Sequence, residues 1–257
     1  GLYDVGITGK DWVGETNSDV ESILDLEYGK IRLVIAFPDK YTYKNLDAMI
    51  ADYGKKKKTL RISSEYLRTA STFIKGLKSY QKYYGKKDPL IVTPWMRLGN
   101  NKDVQIHLSF GATEAKPPED VDAIMDVTET GTTLKQNKLK IVDEVLTSTA
   151  HLIVNKKSLK DPKKREKIFD MITLIRGAVN GRKYLHIYLN VEEKNLKKLL
   201  SQMPSLKRPT ISPLSEDGWF GVNTVIKKEE FHKLIPKLRK IAQGLVVHEP
   251  RQILELE

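Results

Sequence analysis

The stretch Val121–Leu139, VDAIMDVTETGTTLKQNKL, constrains this chain more than any other. An apolar run that carries Asp122 and Asp126 leads through Glu129 into a loop of small polar residues, Thr130–Thr133. The apolar run is typical of a buried strand. Helical spacing after the loop is carried by four apolar residues: Leu134, Leu139, Val142 and Leu146. The pattern therefore predicts a strand, a tight loop and a helix that begins directly after the loop.

Such a junction is a natural site for an anion. A helix start offers unpaired N–H groups and the positive end of the helix dipole. Gly131 would let the backbone approach a phosphate closely, and Thr130, Thr132 and Thr133 add three hydroxyls. The acids upstream could accept hydrogen bonds from sugar hydroxyls, so the pattern favours a ribose 5-phosphate. The alternative is that Thr130 or Thr132 merely caps the helix.

A second glycine-rich turn lies near the start of the chain. LYDVGITGKDW indicates a strand that ends at Gly9, with Lys10 and Asp11 at the mouth of the turn. Ligands of open α/β sheets bind outside the carboxyl ends of strands, so these residues are candidates for binding. An ordinary turn with Asp11 as a helix cap explains the pattern equally well.

The composition excludes several kinds of site. The 257 residues include no cysteine, which removes disulfides, thiolate metal sites and cysteine nucleophiles. The formal net charge is +11, but the lysine runs have few neighbouring aromatics for base stacking. We therefore expect a solvated basic surface that favours small polyanionic substrates rather than nucleic acid. No apolar run has the length of a membrane span, and a cytoplasmic protein is expected.

The remaining pattern indicates an α/β fold with a separate C-terminal unit. KIRLVIAF, residues 30–37, is apolar throughout, which favours a parallel strand that is covered on both faces. Residues 155–164 read as a turn or linker, followed by a helix over 165–179. From Tyr184 onward, strands and helices alternate in the order βαββαβ, which predicts a ferredoxin-like unit.

These pieces together resemble the ATP phosphoribosyltransferase family in its long form, which has a C-terminal regulatory domain. The resemblance rests on motifs that occur in one order along nearly the whole chain. They are GITGKDW (6–12), RLVIAFP (32–38), GATEAKPP (111–118), DAIMDVTETGTTLKQNKL (122–139), PTISPL (209–214) and GW (218–219).

The resemblance implies two α/β lobes, similar to a periplasmic binding protein, that close over a cleft. Lobe I would comprise residues 1–37 and 147–181, lobe II residues 38–146, and the ferredoxin-like regulatory domain residues 182–257. Relative to the family, the first strand and helix of lobe I are expected to be missing from this chain. Residues 78–102 form a longer, Tyr- and Lys-rich segment whose role the resemblance does not explain.

The resemblance also implies a reaction and its residues. The family transfers the phosphoribosyl group of 5-phosphoribosyl 1-diphosphate to N1 of ATP, releases diphosphate and so begins histidine biosynthesis. The expected catalytic residues are Lys10, Glu114 and Asp126. Phosphoribosyl diphosphate would contact Asp126, Glu129, Thr130, Gly131, Thr132 and Thr133, and the nucleotide would contact Gly9, Lys10 and Asp11. Mg²⁺ would be held mainly by the substrate phosphates.

Regulation is the last expectation drawn from the resemblance. Histidine would bind the C-terminal domain, with Thr210, Ser212 and Thr224 as contacts, and would inhibit an assembly of dimers into hexamers. Ordinary hydrogen bonding within the sheet is an equally good interpretation of these three residues. Two other functions stay open: a two-lobed protein that binds a small anion without catalysis, and a catalytically silent regulatory subunit.

Overall fold

The computed structural model describes residues 2–203 and 208–254. The chain divides into two compact units, Gly1–Ser158 and Leu159–Glu257. The strands of the first unit are β1 (Val5–Gly9), β2 (Val20–Asp25), β3 (Ile31–Pro38), β4 (Leu60–Ser64), β5 (Pro89–Val92), β6 (Arg97–Leu98), β7 (Asn101–Leu108), β8 (Ala123–Thr128), β9 (Leu139–Ser148) and β10 (Ala150–Asn155). Its helices are α1 (Lys10–Thr16), α2 (Leu46–Lys56), α3 (Leu67–Gly76), α4 (Lys78–Tyr84), α5 (Thr132–Gln136) and α6 (Lys156–Lys160).

The second unit contains α7 (Pro162–Lys183), β11 (Tyr184–Glu192), α8 (Glu193–Gln202), β12 (Thr210–Pro213), β13 (Trp219–Lys227), α9 (Lys228–Leu238) and β14 (Ala242–His248). In the described part of the chain, no helix is long and apolar enough to cross a membrane.

A seven-stranded sheet forms the larger lobe of the first unit, in the order β6-β5-β7-β4-β8-β3-β9. Strands β5, β7, β4 and β8 run parallel to one another, so their carboxyl ends lie at one edge. One face of the sheet packs against α2, α3 and α4 through residues such as Met49, Ile74 and Tyr80. The other face is covered in part by Leu134 of α5 and by Val121.

Strand β3 confirms the buried strand expected at residues 30–37, but its pairing is not the parallel pairing that was expected. Leu33, Ile35 and Phe37 enter the core on one face, while Val34 and Ala36 enter the core on the other face. Both neighbours, β8 and β9, are antiparallel to it. The apolar run was therefore a sign of burial on two faces and not of strand direction.

The helix expected after the phosphate-sized loop is shorter than its apolar spacing indicated. Helix α5 ends at Gln136, and Leu139–Ser148 forms strand β9, which pairs with β3 along its whole length. Lys138 between them has φ +56°, a left-handed conformation that ends the helix. The spacing of Leu139, Val142 and Leu146 is helical, but the segment pairs with β3 as a strand, in which Leu139 packs into one core cluster and Val142 and Leu146 into the other.

A three-stranded antiparallel sheet, in the order β1-β10-β2, forms the smaller lobe. The structure places β3 in the larger sheet, so the expected lobe boundary at residue 38 lies too far along the chain. Helix α7 belongs to the second unit, where the amide of Ile253 donates to the carbonyl of Gly177 at 2.9 Å. The expected end of lobe I at residue 181 is therefore also displaced.

The second unit confirms the ferredoxin-like order β11-α8-β12-β13-α9-β14, with a sheet ordered β12-β13-β11-β14. Ile187, Leu189 and Val191 of the central strand pack beneath the two helices, against Leu199 of α8 and Leu234 of α9. The opposite face of the sheet carries His186, Tyr188 and Asn190, which alternate with these core residues.

Residues 78–102, which the sequence left unexplained, form α4 and a small hairpin of β5 and β6 at the edge of the larger sheet. Tyr80 is fully buried, and its hydroxyl donates to the carbonyl of Lys87 at 2.8 Å. The segment therefore extends the larger sheet by two strands.

Candidate functional site

The candidate site lies at the edge where the four parallel strands of the larger sheet end. Glu65 and Tyr66 follow β4, the loop with Phe110 and Glu114 follows β7, and residues 129–133 follow β8. In parallel sheets, ligands bind outside the carboxyl ends of the strands. Glu114, in a short helical turn after β7, lies close enough to Asp126 for its charge to raise the pKa of that carboxyl group.

Asp126, near the end of β8, carries the most perturbed carboxyl group at this edge. Burial raises its pKa to about 6, and the charges of Glu114 and Glu65 act in the same direction, against a hydrogen bond from the amide of Val127. That bond joins the amide nitrogen of Val127 to Oδ1 of Asp126 at 2.8 Å. Asp126 is thus partly buried, and the charges of two further carboxylates destabilise its ionised form. Such an arrangement is typical of functional sites.

The loop after β8 is built around Gly131, which has φ +83° and occupies the N-cap of α5. Its amide donates to Oγ1 of Thr128 at 2.8 Å. The hydroxyls of Thr130 and Thr132 lie 2.8 Å apart, and both residues are exposed, as is Thr133. The N-cap residue of α5 is Gly131 rather than a threonine, although Oγ1 of Thr130 accepts a hydrogen bond from the amide of Thr132 at 3.3 Å.

Asp122, the other acid of the strand, does not join this site. The residue is 8% exposed, and its Oδ2 accepts a hydrogen bond from the amide of Arg61 at 2.8 Å. The guanidinium of Arg61 also contacts it, with 3.4 Å between Nε and Oδ2. Asp122 directly precedes β8, whereas Asp126 lies near the carboxyl end of β8. The two acids therefore lie at opposite ends of this strand. The expectation that both could face one sugar is wrong for Asp122.

Asp11 joins the two lobes. Its Oδ1 accepts from the hydroxyl of Ser148 at 2.6 Å, and its Oδ2 accepts from the hydroxyl of Tyr66 at 2.6 Å. The amide of Asp11 donates back to the Ser148 hydroxyl at 3.0 Å. The residue is only 8% exposed, so its carboxylate is occupied by the protein. It lies within the first turn of α1, whose N-cap is Gly9, so Asp11 is not the helix cap either.

Lys10 differs from its neighbour because its side chain is exposed. It lines a polar cavity of ≈ 230 Å³ together with Asp25, Lys30 and His151. Gly9 ends β1 beside this cavity. A cationic side chain in such a position could contact an anionic substrate.

Tyr66 connects the lobe junction with the acidic edge. Its ring lies against Trp12, with 4.8 Å between the centroids, and its hydroxyl bonds to Asp11. Burial and the charges of Asp11, Glu65 and Asp126 raise the pKa of Tyr66. Tyr66 and Glu65 were not among the residues expected from the sequence, although both follow a strand in LRISSEY and ligands bind at the carboxyl ends of such strands.

In the second unit, the three residues expected to contact histidine do not share one surface. Thr210 and Ser212 pair with Asn223 and Gly221, and all four face away from the helices. Thr224 pairs with Ile187, whose side chain lies in the core, and is itself 5% exposed. Because paired residues on neighbouring strands share a face, Thr224 points toward the helices and cannot contact the same ligand as Thr210 and Ser212.

The fold and the site define a two-lobed α/β protein with an acid-lined, phosphate-sized loop, followed by a ferredoxin-like unit. The family model for ATP phosphoribosyltransferase matches residues 1–177, and the model described as HisG, C-terminal domain, matches residues 181–249. The chain belongs to the ATP phosphoribosyltransferase family.

Curated relatives agree with this assignment. An ATP phosphoribosyltransferase of Solibacter usitatus is 37% identical over 97% of this chain and 78% of its own length. That of Pelodictyon phaeoclathratiforme is 34% identical over 99% of this chain and 78% of its own length. Among solved structures, the ATP phosphoribosyl transferase (HisG:HisZ) complex from Thermotoga maritima matches 67% of this chain and 68% of its own, at 22% identity and a TM-score of 0.49.

Proposed function

We propose that the acidic edge of the larger sheet is where this chain carries out the reaction of its family. The reaction transfers a phosphoribosyl group from 5-phosphoribosyl 1-diphosphate to N1 of ATP, releases diphosphate and begins histidine biosynthesis. The observation that supports the placement is Asp126, whose pKa is raised to about 6 beside the exposed loop Glu129–Thr133. Perturbed acids beside an anion loop fit a substrate that combines a diol with a phosphate.

The loop is the proposed 5-phosphate site. The exposed hydroxyls of Thr130, Thr132 and Thr133 can donate to phosphate oxygens, and Gly131 has no side chain to obstruct their approach. The hydroxyls of Thr130 and Thr132 bond to each other and can turn toward a ligand without leaving a buried group unpaired. The phosphate thus fixes the sugar at one end.

Asp126 and Glu129 are the proposed contacts of the ribose hydroxyls. When N1 of adenine attacks the anomeric carbon, the ribose ring gains positive charge while the leaving diphosphate gains negative charge. Carboxylates fixed beside the ring stabilise that positive charge without reorganisation, a contribution that is largest in the transition state. No covalent nucleophile is needed, and orientation of the two substrates supplies the remainder.

Mg²⁺ is the proposed cofactor, held mainly by the substrate phosphates. In the described residues, no group of three acids or histidines is arranged to hold a metal ion by itself. Glu114 and Glu65 nevertheless act on Asp126, so one or two carboxylates can share a cation with phosphate oxygens, as Mg²⁺ prefers. Bound there, the ion would neutralise charge on the leaving diphosphate. Glu114 is the residue we propose for this contact.

Lys10 is the proposed cationic contact on the nucleotide side, next to Gly9. Its exposed amine lines the polar cavity with Lys30, whereas Asp11 is committed to Ser148 and Tyr66. In this proposal Asp11 positions Lys10 and the lobe junction rather than touching the nucleotide. A turnover assay of Lys10→Met, with the Michaelis constants of both substrates, separates substrate binding from a structural role.

The enzyme function is tested by mixing the protein with ATP, phosphoribosyl diphosphate and Mg²⁺ and following phosphoribosyl-ATP. Product that depends on all three components supports the proposal, and Asp126→Asn serves as the low-activity control. A folded sample that binds phosphoribosyl diphosphate and forms no product would instead favour the non-catalytic binding protein or the silent regulatory subunit.

Regulation by histidine through the second unit is a further part of the proposal. Thr210 and Ser212 remain candidate contacts because they share the open face of the sheet. A ligand that favours one of two states shifts the population according to its difference in affinity, and assembly from dimers to hexamers offers such states. Turnover and molar mass measured with saturating histidine test this part: if neither changes, it is wrong.

A further inference from the structure

An aromatic pair stands exposed at the same edge of the sheet as the acidic site. Trp95, in the turn between β5 and β6, is 76% exposed, and Phe110, directly after β7, is 71% exposed. Their ring centroids are 5.9 Å apart, and the rings are inclined at 74°. Two large apolar side chains left in water next to a polar site require an explanation that core packing does not provide.

The backbone holds both rings in defined positions. In the turn, Oγ1 of Thr93 accepts from the amides of Trp95 and Met96 at 3.2 and 3.0 Å. Around Phe110, the amide of Ser109 donates to the carbonyl of Ser64 at 3.0 Å, and the amide of Gly111 donates to Oε1 of Glu65 at 2.9 Å. The pair is therefore presented by ordered turns.

The topology brings the pair within reach of the site. Strands β5, β7, β4 and β8 are neighbours in this order and end at one edge. Neighbouring strands lie about 4.8 Å apart, so the end of β7 is about 10 Å from the end of β8. Glu65, which anchors the amide after Phe110, also acts electrostatically on Asp126. The aromatic pair and the proposed ribose site thus belong to one ligand-binding edge.

The chemistry of the two substrates indicates which of them binds the aromatic pair. Phosphoribosyl diphosphate presents hydroxyls and phosphates, which polar and charged groups bind, and it has no flat apolar surface. The adenine ring of ATP is flat, and bases stack on exposed aromatic side chains. Because the reacting atom belongs to adenine, the ring has to lie close to the sugar that the loop holds.

We propose that Trp95 and Phe110 form a platform on which the adenine of ATP lies, with N1 directed toward the ribose at Asp126. The inference rests on the proposed function and adds to it an adenine subsite on the large lobe. Since the rings are inclined, the base stacks on one ring and meets the edge of the other. The platform also gives the β5–β6 hairpin a role in selecting a purine.

Single alanine variants at both positions test the platform. We expect Trp95→Ala and Phe110→Ala each to raise the Michaelis constant for ATP by roughly 5- to 150-fold, which corresponds to one lost stacking contact. The Michaelis constant for phosphoribosyl diphosphate should stay unchanged, and Trp95→Phe should recover most of the affinity for ATP. Phe169→Ala is the matched control, since it removes a half-exposed aromatic from helix α7 of the second unit.

Calorimetric titration with ATP makes the test independent of turnover. Weakened binding in the alanine variants, with an unchanged unfolding midpoint, supports the platform even if the protein forms no product, so the two proposals fail separately. Unchanged ATP binding in both variants would overturn the inference. A change of molar mass together with unchanged ATP binding would also overturn it, because the pair would then be a contact between copies of the chain.

Discussion

Two aspartates of the first unit, Asp11 and Asp126, have opposite environments. Asp11 is buried, and both its oxygens accept short hydrogen bonds, from Ser148 and Tyr66. Asp126 is half-buried, receives a hydrogen bond from the amide of Val127 and faces the charges of Glu114 and Glu65, which help to raise its pKa to about 6. The carboxylate of Asp11 is fully hydrogen-bonded within the protein, whereas burial and nearby negative charges destabilise the ionised form of Asp126.

The difference separates a structural acid, Asp11, from Asp126, the acid that we propose contacts the substrate. Both carboxylate oxygens of Asp11 already accept hydrogen bonds from the protein, and these bonds fix the junction between the two lobes. The carboxylate of Asp126 can still accept hydrogen bonds or bind a cation. The partners that we propose for it are sugar hydroxyls, a cation, or both. Proteins retain such unfavourable groups chiefly where function requires them.

The largest expected effect is the loss of activity in Asp126→Asn. The amide keeps the shape but cannot stabilise positive charge on the ribose, so kcat/KM should fall by about 10²- to 10³-fold. Steady-state turnover with saturating ATP measures it. Asp122→Asn is the matched control, and it should retain kcat because Asp122 lies just before β8, at the opposite end of the strand from Asp126.

Stability should change in the opposite sense. The pKa of Asp126 is about 6 in the folded protein, against 3.8 without the fold, so ionisation costs stability as pH rises from about 4 to 6. Above pH 6 the whole cost is present, and Asp126→Asn removes it. We expect a gain on the order of 1 kcal/mol at pH 7.5, after solvent screening is allowed for. Urea denaturation checks it, and a net loss of stability would contradict the assigned environment.

The junction between the lobes gives the largest expected effect on stability. Asp11→Ala leaves the hydroxyls of Ser148 and Tyr66 without their acceptor, so the free energy of unfolding should fall by about 2 to 3 kcal/mol. Asp11→Asn should cost less, since its amide oxygen still accepts one of the two bonds. Denaturation curves of the three proteins measure the series. Equal stability of Asp11→Ala and the parent would refute the junction.

Gly131→Ala should change stability less than Asp11→Ala. At φ +83° a Cβ is strained, and it would lie 3.2 Å from Cδ1 of Ile141, so a stability loss of about 1 kcal/mol is expected. Titration with phosphoribosyl diphosphate should reveal weaker binding of the 5-phosphate. Gly218→Ala is matched, because Gly218 has φ +78° with open space around it and lies in the second unit. Equal phosphoribosyl diphosphate affinity in the two variants would remove Gly131 from the site.

The sequence predicted much of this picture because several patterns are local. The loop around Gly131, the apolar strand at Ile31–Pro38 and the βαββαβ tail each depend on residues that are close in the chain. The direction of β3 and the strand Leu139–Ser148 depend on distant pairing partners, and their apolar spacing fits more than one structure.

The residues of the site also divide into those that local motifs indicate and those that depend on distant partners. Glu114 and Asp126 lie in local motifs, after β7 and near the end of β8, and their roles in the site stay predictions. The roles of Asp11 and Asp122 were not, because their partners Ser148, Tyr66 and Arg61 lie between about 50 and 140 residues away in the chain. Hydrogen-bond satisfaction is a property of the folded chain, and it decides which acids remain free for a ligand.

The most direct test of the role proposed for Asp126 is the pH dependence of kcat/KM for phosphoribosyl diphosphate. It is measured for the parent protein and for Asp126→Asn. This parameter reports ionisations of the free enzyme. In the parent it should fall as pH drops through about 6, where Asp126 takes up a proton. The variant should lack that acidic limb while keeping its low residual rate. An identical acidic limb in both proteins would contradict the account, because another group would then control activity.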